Sequence, residues 1–157
     1  LGEPAIFVAF EENSEKIRAN ARSLNWHLDR LERRNLFLLD VHLPSDTVKS
    51  GGFDLTGLLA GIQAKARRMK AKRIVFDGLD VLLALLDDPI AQKQEVYRLH
   101  HWVQRSGLTC VITCKAGEEN PGLPPRYSFM QFMVDCVDVL THRTVDRVSL
   151  RNLQIMK

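Results

Sequence analysis

No apolar run in this sequence approaches the roughly 18 residues that a membrane span needs. The N-terminus has no basic stretch followed by an apolar one, so no secretory signal is visible and a cytoplasmic location is expected. Cysteine is scarce. Three residues, an odd number, argue against a disulfide scaffold. Cys110 and Cys114 fall in a β-like run, where four residues span about 13 Å, too far for a disulfide and poor for a shared metal. The histidines have no ligand-spaced partners. His100 and His101 point about 100° apart on a helix and cannot chelate one ion together. No Ser/His/Asp or Cys/His arrangement has supporting context. Also missing is the phosphate loop G-x-x-x-x-G-K-[ST], whose backbone N–H groups and lysine cradle phosphates. Gly52 to Gly57 (GFDLTG) has the glycine spacing, but Leu58 and Leu59 follow where Lys and Ser/Thr are required.

What remains is an ordinary globular composition over 157 residues, with 45% hydrophobic and 26% charged residues. That length suits one domain with a real core. The chain begins at Leu1 rather than Met and stops at Lys157 inside an alternating apolar stretch, so it reads as a piece of something longer. Net charge is +3. The cations Lys65, Arg67, Arg68, Lys70, Lys72 and Arg73 cluster at the end of one predicted helix. They suit a solvated helix C-terminus, where positive charge complements the macrodipole. A nucleic-acid or subunit contact is the competing reading, but no aromatics are interleaved for base stacking.

Short apolar runs alternate with helical patterns. Strands are expected at Ala5–Phe10 (AIFVAF), Leu36–Val41, Arg73–Asp77 (RIVFD) and Leu108–Thr113 (LTCVIT). Helices are expected over Glu15–Leu24, from Asp54 or Thr56 to near Ala71, and over Gln92–Arg105 before Gly107. Trp26–Leu31 reads as a transition, and Leu79–Leu86 as the start of a helix that Pro89 breaks. Loops are expected at His42–Gly52 and Lys115–Pro125, and a short helix at Phe129–Asp135. Val137–His142 and Val145–Lys157 read as strands joined by a polar turn. This order implies an α/β fold: a mainly parallel sheet, helices on both faces, and an antiparallel edge.

In open α/β sheets, ligands bind beyond the carboxyl ends of the strands. Those ends carry Glu11 and Glu12, Asp40, Asp77 and Thr113. Asp77 closes an apolar strand as a Walker B acid does, orienting the water shell of Mg²⁺. Its plainer role is a cap for the next helix. Glu11 and Glu12 offer a general base for a water in line with a γ-phosphate. Strand alternation turns only one of them to the site. Alternatively, both acids simply favour a helix N-terminus. Thr113 can sense the γ-phosphate or the attacking water, or be there for its β-preference.

The segment GEPAIFVAFEENSEKIRANARSLNW, followed by LFLLD, RIVFDGLDVLL and YRLHHWVQRSGLTCVIT, resembles the KaiC family of RecA-superfamily P-loop ATPases after their phosphate loop. MVDCVDVLTHR and RVSLRNLQIMK resemble that family's closing strands, and FEEN and this ending are the most specific parts. The resemblance implies one three-layer RecA-like domain over residues 1–157, incomplete at both ends. In the complete domain it implies ATP and Mg²⁺ as cofactors, and ATP hydrolysis between subunits of a ring, a hexamer, that serves signalling or circadian-type regulation. This segment alone, without the phosphate loop, is expected to bind ATP poorly or not at all. By kinship Glu11 is the leading catalytic base, Glu12 its companion and Asp77 the Walker B acid. Thr113 lies among the nucleotide contacts, and Lys157 matches a lysine that reaches ATP on the adjacent subunit. Gln131 and Phe132 stand where clock-type members carry autophosphorylated Ser/Thr, and Ser128 is the nearest hydroxyl, so phosphorylation-clock behaviour is not carried over. Two other readings remain open: a silent RecA-fold regulatory or assembly module that binds protein partners, and a DNA-handling RecA relative.

Overall fold

The structure is a computed structural model and describes residues 2–41, 55–86, 88–115, 127–145 and 147–157. The His42–Gly52 loop and most of the Lys115–Pro125 loop lie outside these residues. The chain divides into two compact units, Leu1–Lys115 and Ala116–Lys157.

The first unit runs β1 (Ala5–Ala9), α1 (Ser14–Ser23), α2 (Leu28–Glu32), β2 (Leu36–Asp40), α3 (Thr56–Met69), β3 (Arg73–Asp77), α4 (Leu79–Leu83), α5 (Pro89–Ser106) and β4 (Thr109–Ile112). Its four described strands form one parallel sheet in the order β2-β1-β3-β4. The register pairs Val8 with Leu39 and Phe76, and Ala9 with Asp40 and Asp77. Paired residues of parallel strands share a face, so two distinct faces follow. One carries Ile6, Val8, Ile74 and Phe76, each almost fully buried. Helices α3 and α5 cover it. Lys65 of α3 sits 3.9 Å above the Phe37 ring, and Trp102 of α5 meets the Phe76 ring edge-on at 6.1 Å. The helical spacing predicts an apolar stripe of Leu55, Leu58, Leu59, Ile62 and Ala66 on α3 and of Val96, Leu99 and Val103 on α5. All are buried except Leu58 and Val103, which are half-buried. Helix α1 lies against β2 and α2, with Arg18 near Asp40 on the opposite face. Helices therefore stand on both sides, as right-handed crossovers require when strand order reverses direction after β2.

Local chemistry sets the helix ends. Asn13 Oδ1 accepts from the Lys16 N–H at 2.9 Å and caps α1. Arg67 and Arg68 occupy the last turn of α3, the position where cations favour the macrodipole. Pro89 does not end a helix; it begins α5. Asp88 caps that helix through the Ile90 N–H at 2.9 Å, and proline at the first position loses no intrahelical bond. Trp26–Leu31 is not all transition either, since α2 starts at Leu28.

Arg18 ties α1 to α2. Its Nε and Nη2 each lie 2.7 Å from an oxygen of Glu32. These bonds hold the Glu32 carboxyl below the ordinary carboxylate range. A depressed folded-state pKa gives stability that is present above the unfolded value and lost as pH falls through the folded one. Wild type should therefore exceed Glu32→Gln in urea midpoint near neutrality, and the gap should close under acidification.

A buried carboxylate needs donors. Glu95, only 6% exposed, accepts from the Leu55 N–H at 2.8 Å, where α3 starts, and from Arg98 Nε at 3.2 Å. Nothing in the local sequence pattern marks this residue.

The second unit contains a 3₁₀ turn at Ser128–Phe132 and a hairpin of β5 (Asp138–Val145) and β6 (Val148–Ile155). The hairpin is antiparallel, as expected, and its strands pair only with each other among the described residues. Its turn falls after Val145, not at Arg143–Thr144, with Arg147 at φ 67°. Among the described residues, no helix is long and apolar enough to cross a membrane.

Candidate active site

Strand β3 ends at Asp77, and the chain turns through Gly78 into α4. Gly78 adopts φ +74°, and a Cβ there would lie 3.2 Å from the Glu11 Cβ. Glycine is thus required both by the backbone and by the closeness of the β1 end. The turn is stitched to the end of β4 by Thr113. The Thr113 N–H donates to Phe76 O, and Leu79 N–H donates to Thr113 O, both at 3.0 Å. The Thr113 hydroxyl accepts from the Gly78 N–H at 2.9 Å and donates to Asp77 Oδ1 at 2.7 Å. Among the described residues, Asp77 Oδ2 accepts no hydrogen bond. Gly78, not Asp77, holds the N-cap position of α4, and among the described residues the Asp77 side chain bonds Thr113 instead of capping that helix.

The two adjacent glutamates part company. Glu11 stands beside Gly78, and its Oε1 forms an ion pair with Lys115 Nζ. Glu12 turns toward α1, 2.8 Å from Lys16 Nζ and 3.3 Å from Asn20 Nδ2. Both line an open cleft of about 220 Å³ with Phe10, Val41, Val81 and Leu85. Asp40 ends β2 in register with Ala9, and its Oδ1 is buried without a hydrogen-bond partner among the described residues. Lys157 lies in the second unit, where its ammonium donates to the Val134 carbonyl at 2.7 Å.

Sequence reasoning missed Lys115 and Asp80, whose Oδ1 accepts from the Lys115 N–H at 3.1 Å. The only signal was their place just past strand ends. The cysteines are free, and burial pushes the Cys110 thiol up to about 12, which leaves it protonated and unreactive at neutral pH.

The rim suits a nucleotide-bound Mg²⁺. Among the described residues, no group of three His, Cys, Asp or Glu could hold a metal by itself. Mg²⁺ in phosphoryl-transfer sites uses one or two carboxylates plus phosphate and water, not an all-protein cage. An aspartate whose Oδ1 is steadied by a threonine and whose Oδ2 accepts no bond among the described residues fits that donor set.

A family model for the KaiC ATPase matches residues 1–157. The chain belongs to the KaiC family. It is 33% identical over 159 residues to the circadian clock protein KaiC2 of Synechocystis, covering 99% of this chain and 27% of that protein. It is 34% identical over 165 residues to the circadian clock oscillator protein KaiC of Parasynechococcus marenigrum, covering 99% of this chain and 32% of the relative. The chain thus spans about a third or less of the length of these curated relatives. A crystal structure of a KaiC-like protein from the archaeon Pyrococcus horikoshii superposes with a TM-score of 0.79 at 24% identity, covering 99% of this chain and 65% of the other. That likeness confirms the fold. The chain is therefore a KaiC-like ATPase domain.

Proposed function

We propose that the full-length protein hydrolyses ATP at this KaiC-family domain, with Glu11 as general base, in a ring of subunits. The observation that supports it most is the joining of three strand ends at one rim: Glu11 against Gly78, Asp77 on Thr113. In this reading the Glu11 carboxylate accepts a proton from the water that attacks the γ-phosphate. Bound Mg²⁺ would supply charge neutralisation on the β- and γ-phosphates. Asp77 would hold that ion through water, on the oxygen that Thr113 does not bond. Thr113, already holding Asp77 and the Gly78 N–H, contacts the γ-phosphate or the attacking water. Glu12 is a companion that fixes the start of α1. Lys157 reaches ATP held by the neighbouring subunit, so hydrolysis takes place between subunits of a cytoplasmic ring, a hexamer. Signalling or circadian-type regulation is its proposed output, motivated by the clock names of its relatives.

The test is Mg²⁺-dependent ATP hydrolysis by the full-length gene product, beside Glu11→Gln. Turnover that collapses in the variant with nucleotide binding retained supports the reading. A full-length protein with neither binding nor turnover would leave a RecA-fold regulatory module instead.

A further inference from the structure

We propose that Lys115 is a positioning residue for the Glu11 base, an inference that rests on the reading of Glu11 given above. The two residues are 104 positions apart in sequence, yet the Lys115 ammonium is paired with Glu11 Oε1. The sheet order explains how. Strands β1 and β4 both flank β3, so a side chain leaving the end of β4 must span the width of β3 to reach the end of β1.

The origin of that side chain is fixed. The main chain from Thr113 to Lys115 is fastened to the β3–α4 turn by Thr113 N–H to Phe76 O, Leu79 N–H to Thr113 O, and Lys115 N–H to Asp80 Oδ1. The far end is fixed too, because the Glu11 Cβ packs against Gly78. A long lysine is thus anchored at its backbone and docked at its tip. Its hold on Oε1 leaves Oε2, the oxygen nearer Gly78, to take a proton. The bond to Glu11 raises the Lys115 amine above its ordinary pKa.

The pair does not serve the fold. Lys115 is 67% exposed and Glu11 43%, and exposed ion pairs add little stability. What the pair supplies is orientation. A base displaced by an ångström can lose a factor of about 10² in rate. The same arrangement explains why glycine stands at position 78, since a larger residue would push Glu11 off the lysine.

The experiment is steady-state ATP hydrolysis with Mg²⁺ on the full-length protein, with ATP affinity measured separately, for Lys115→Met, Lys115→Arg and Glu11→Gln. Lys115→Met is expected to lower kcat about 10-fold with ATP Kd and melting temperature unchanged, a smaller loss than removal of the base itself. Lys115→Arg, which keeps the cation, should recover most of that loss. A Lys115→Met kcat equal to or above wild type, while Glu11→Gln collapses, would overturn the proposal and leave the Glu11 reading standing. So would an equal loss in both lysine variants. A Glu11→Gln enzyme that still turns over would overturn the Glu11 reading, and the positioning role with it.

Discussion

Glu11→Gln should reduce Mg²⁺-dependent ATP turnover by about 10²- to 10⁴-fold, the usual contribution of a positioned general base. Glutamine keeps the volume and can still meet Lys115 through its amide oxygen, but it cannot accept a proton. The fold should not notice. Glu11 is exposed at 43% of its side chain, its ion pair is a surface one, and no core side chain rests on its charge. Nucleotide affinity should stay near wild type, since Asp77, Thr113 and the rim backbone are untouched. Glu12→Gln provides the control. Its carboxylate is engaged with Lys16 and Asn20, so a much smaller loss is expected. Phosphate release and fluorescent-nucleotide titration on both full-length variants read the difference. Equal losses at the two positions would remove the distinction that the Gly78 contact draws between them.

Phe76→Ala should destabilise the protein by about 3–5 kcal/mol, the range for a buried aromatic truncated to alanine. Phe76 is 1% exposed and lies between two other rings. Phe10 is stacked with it at 6.3 Å, and Trp102 meets it edge-on at 6.1 Å. Such pairs add about 0.5–1.5 kcal/mol beyond burial alone. Rigid strands around it leave little room for collapse into the cavity. Thermal unfolding of the full-length variant should show the transition of this domain lowered by on the order of 10 °C. Phe76 also immediately precedes Asp77, and its carbonyl receives the Thr113 N–H. The same variant should therefore weaken Mg²⁺-dependent nucleotide binding at temperatures where it is still folded. A shift of only a degree or two would mean that this face of the sheet is not the core.

Much of this arrangement was legible in the residues. The apolar runs at Ala5, Leu36, Arg73 and Thr109 became parallel strands, and the acids that close them stand at one rim. Gly107 marks a helix end by local backbone chemistry, which needs no tertiary context. Of the two capping candidates before α1, Asn13 and Ser14, the structure uses Asn13. The family was legible for a related reason: FEEN and the closing strands are contiguous motifs. Misreadings fell where two local signals compete. Proline both breaks helices and begins them, and Asp88 decided in favour of a start. A β-rich stretch from Val137 to Lys157 fixes two strands but not their turn, because alternation runs through Arg143 and Thr144 unchanged. The helix expected over Glu15–Leu24 ends at Ser23, and Leu24 sits past its end, 62% exposed.

By itself, the sequence determined the four strands of the parallel sheet and the three longer helices, that acids close three of those strands, and which family the chain joins. These depend on neighbours within a few residues, where periodicity and capping act. Only the tertiary structure decided which glutamate stands at the rim, that Thr113 holds Asp77, that Glu95 bonds the start of α3, and that Lys115 meets Glu11. Each of those contacts joins residues 36 to 104 positions apart. They exist because the strand order β2-β1-β3-β4 sets the end of β3 between those of β1 and β4 and because α3 and α5 share one face, relations that no local pattern encodes.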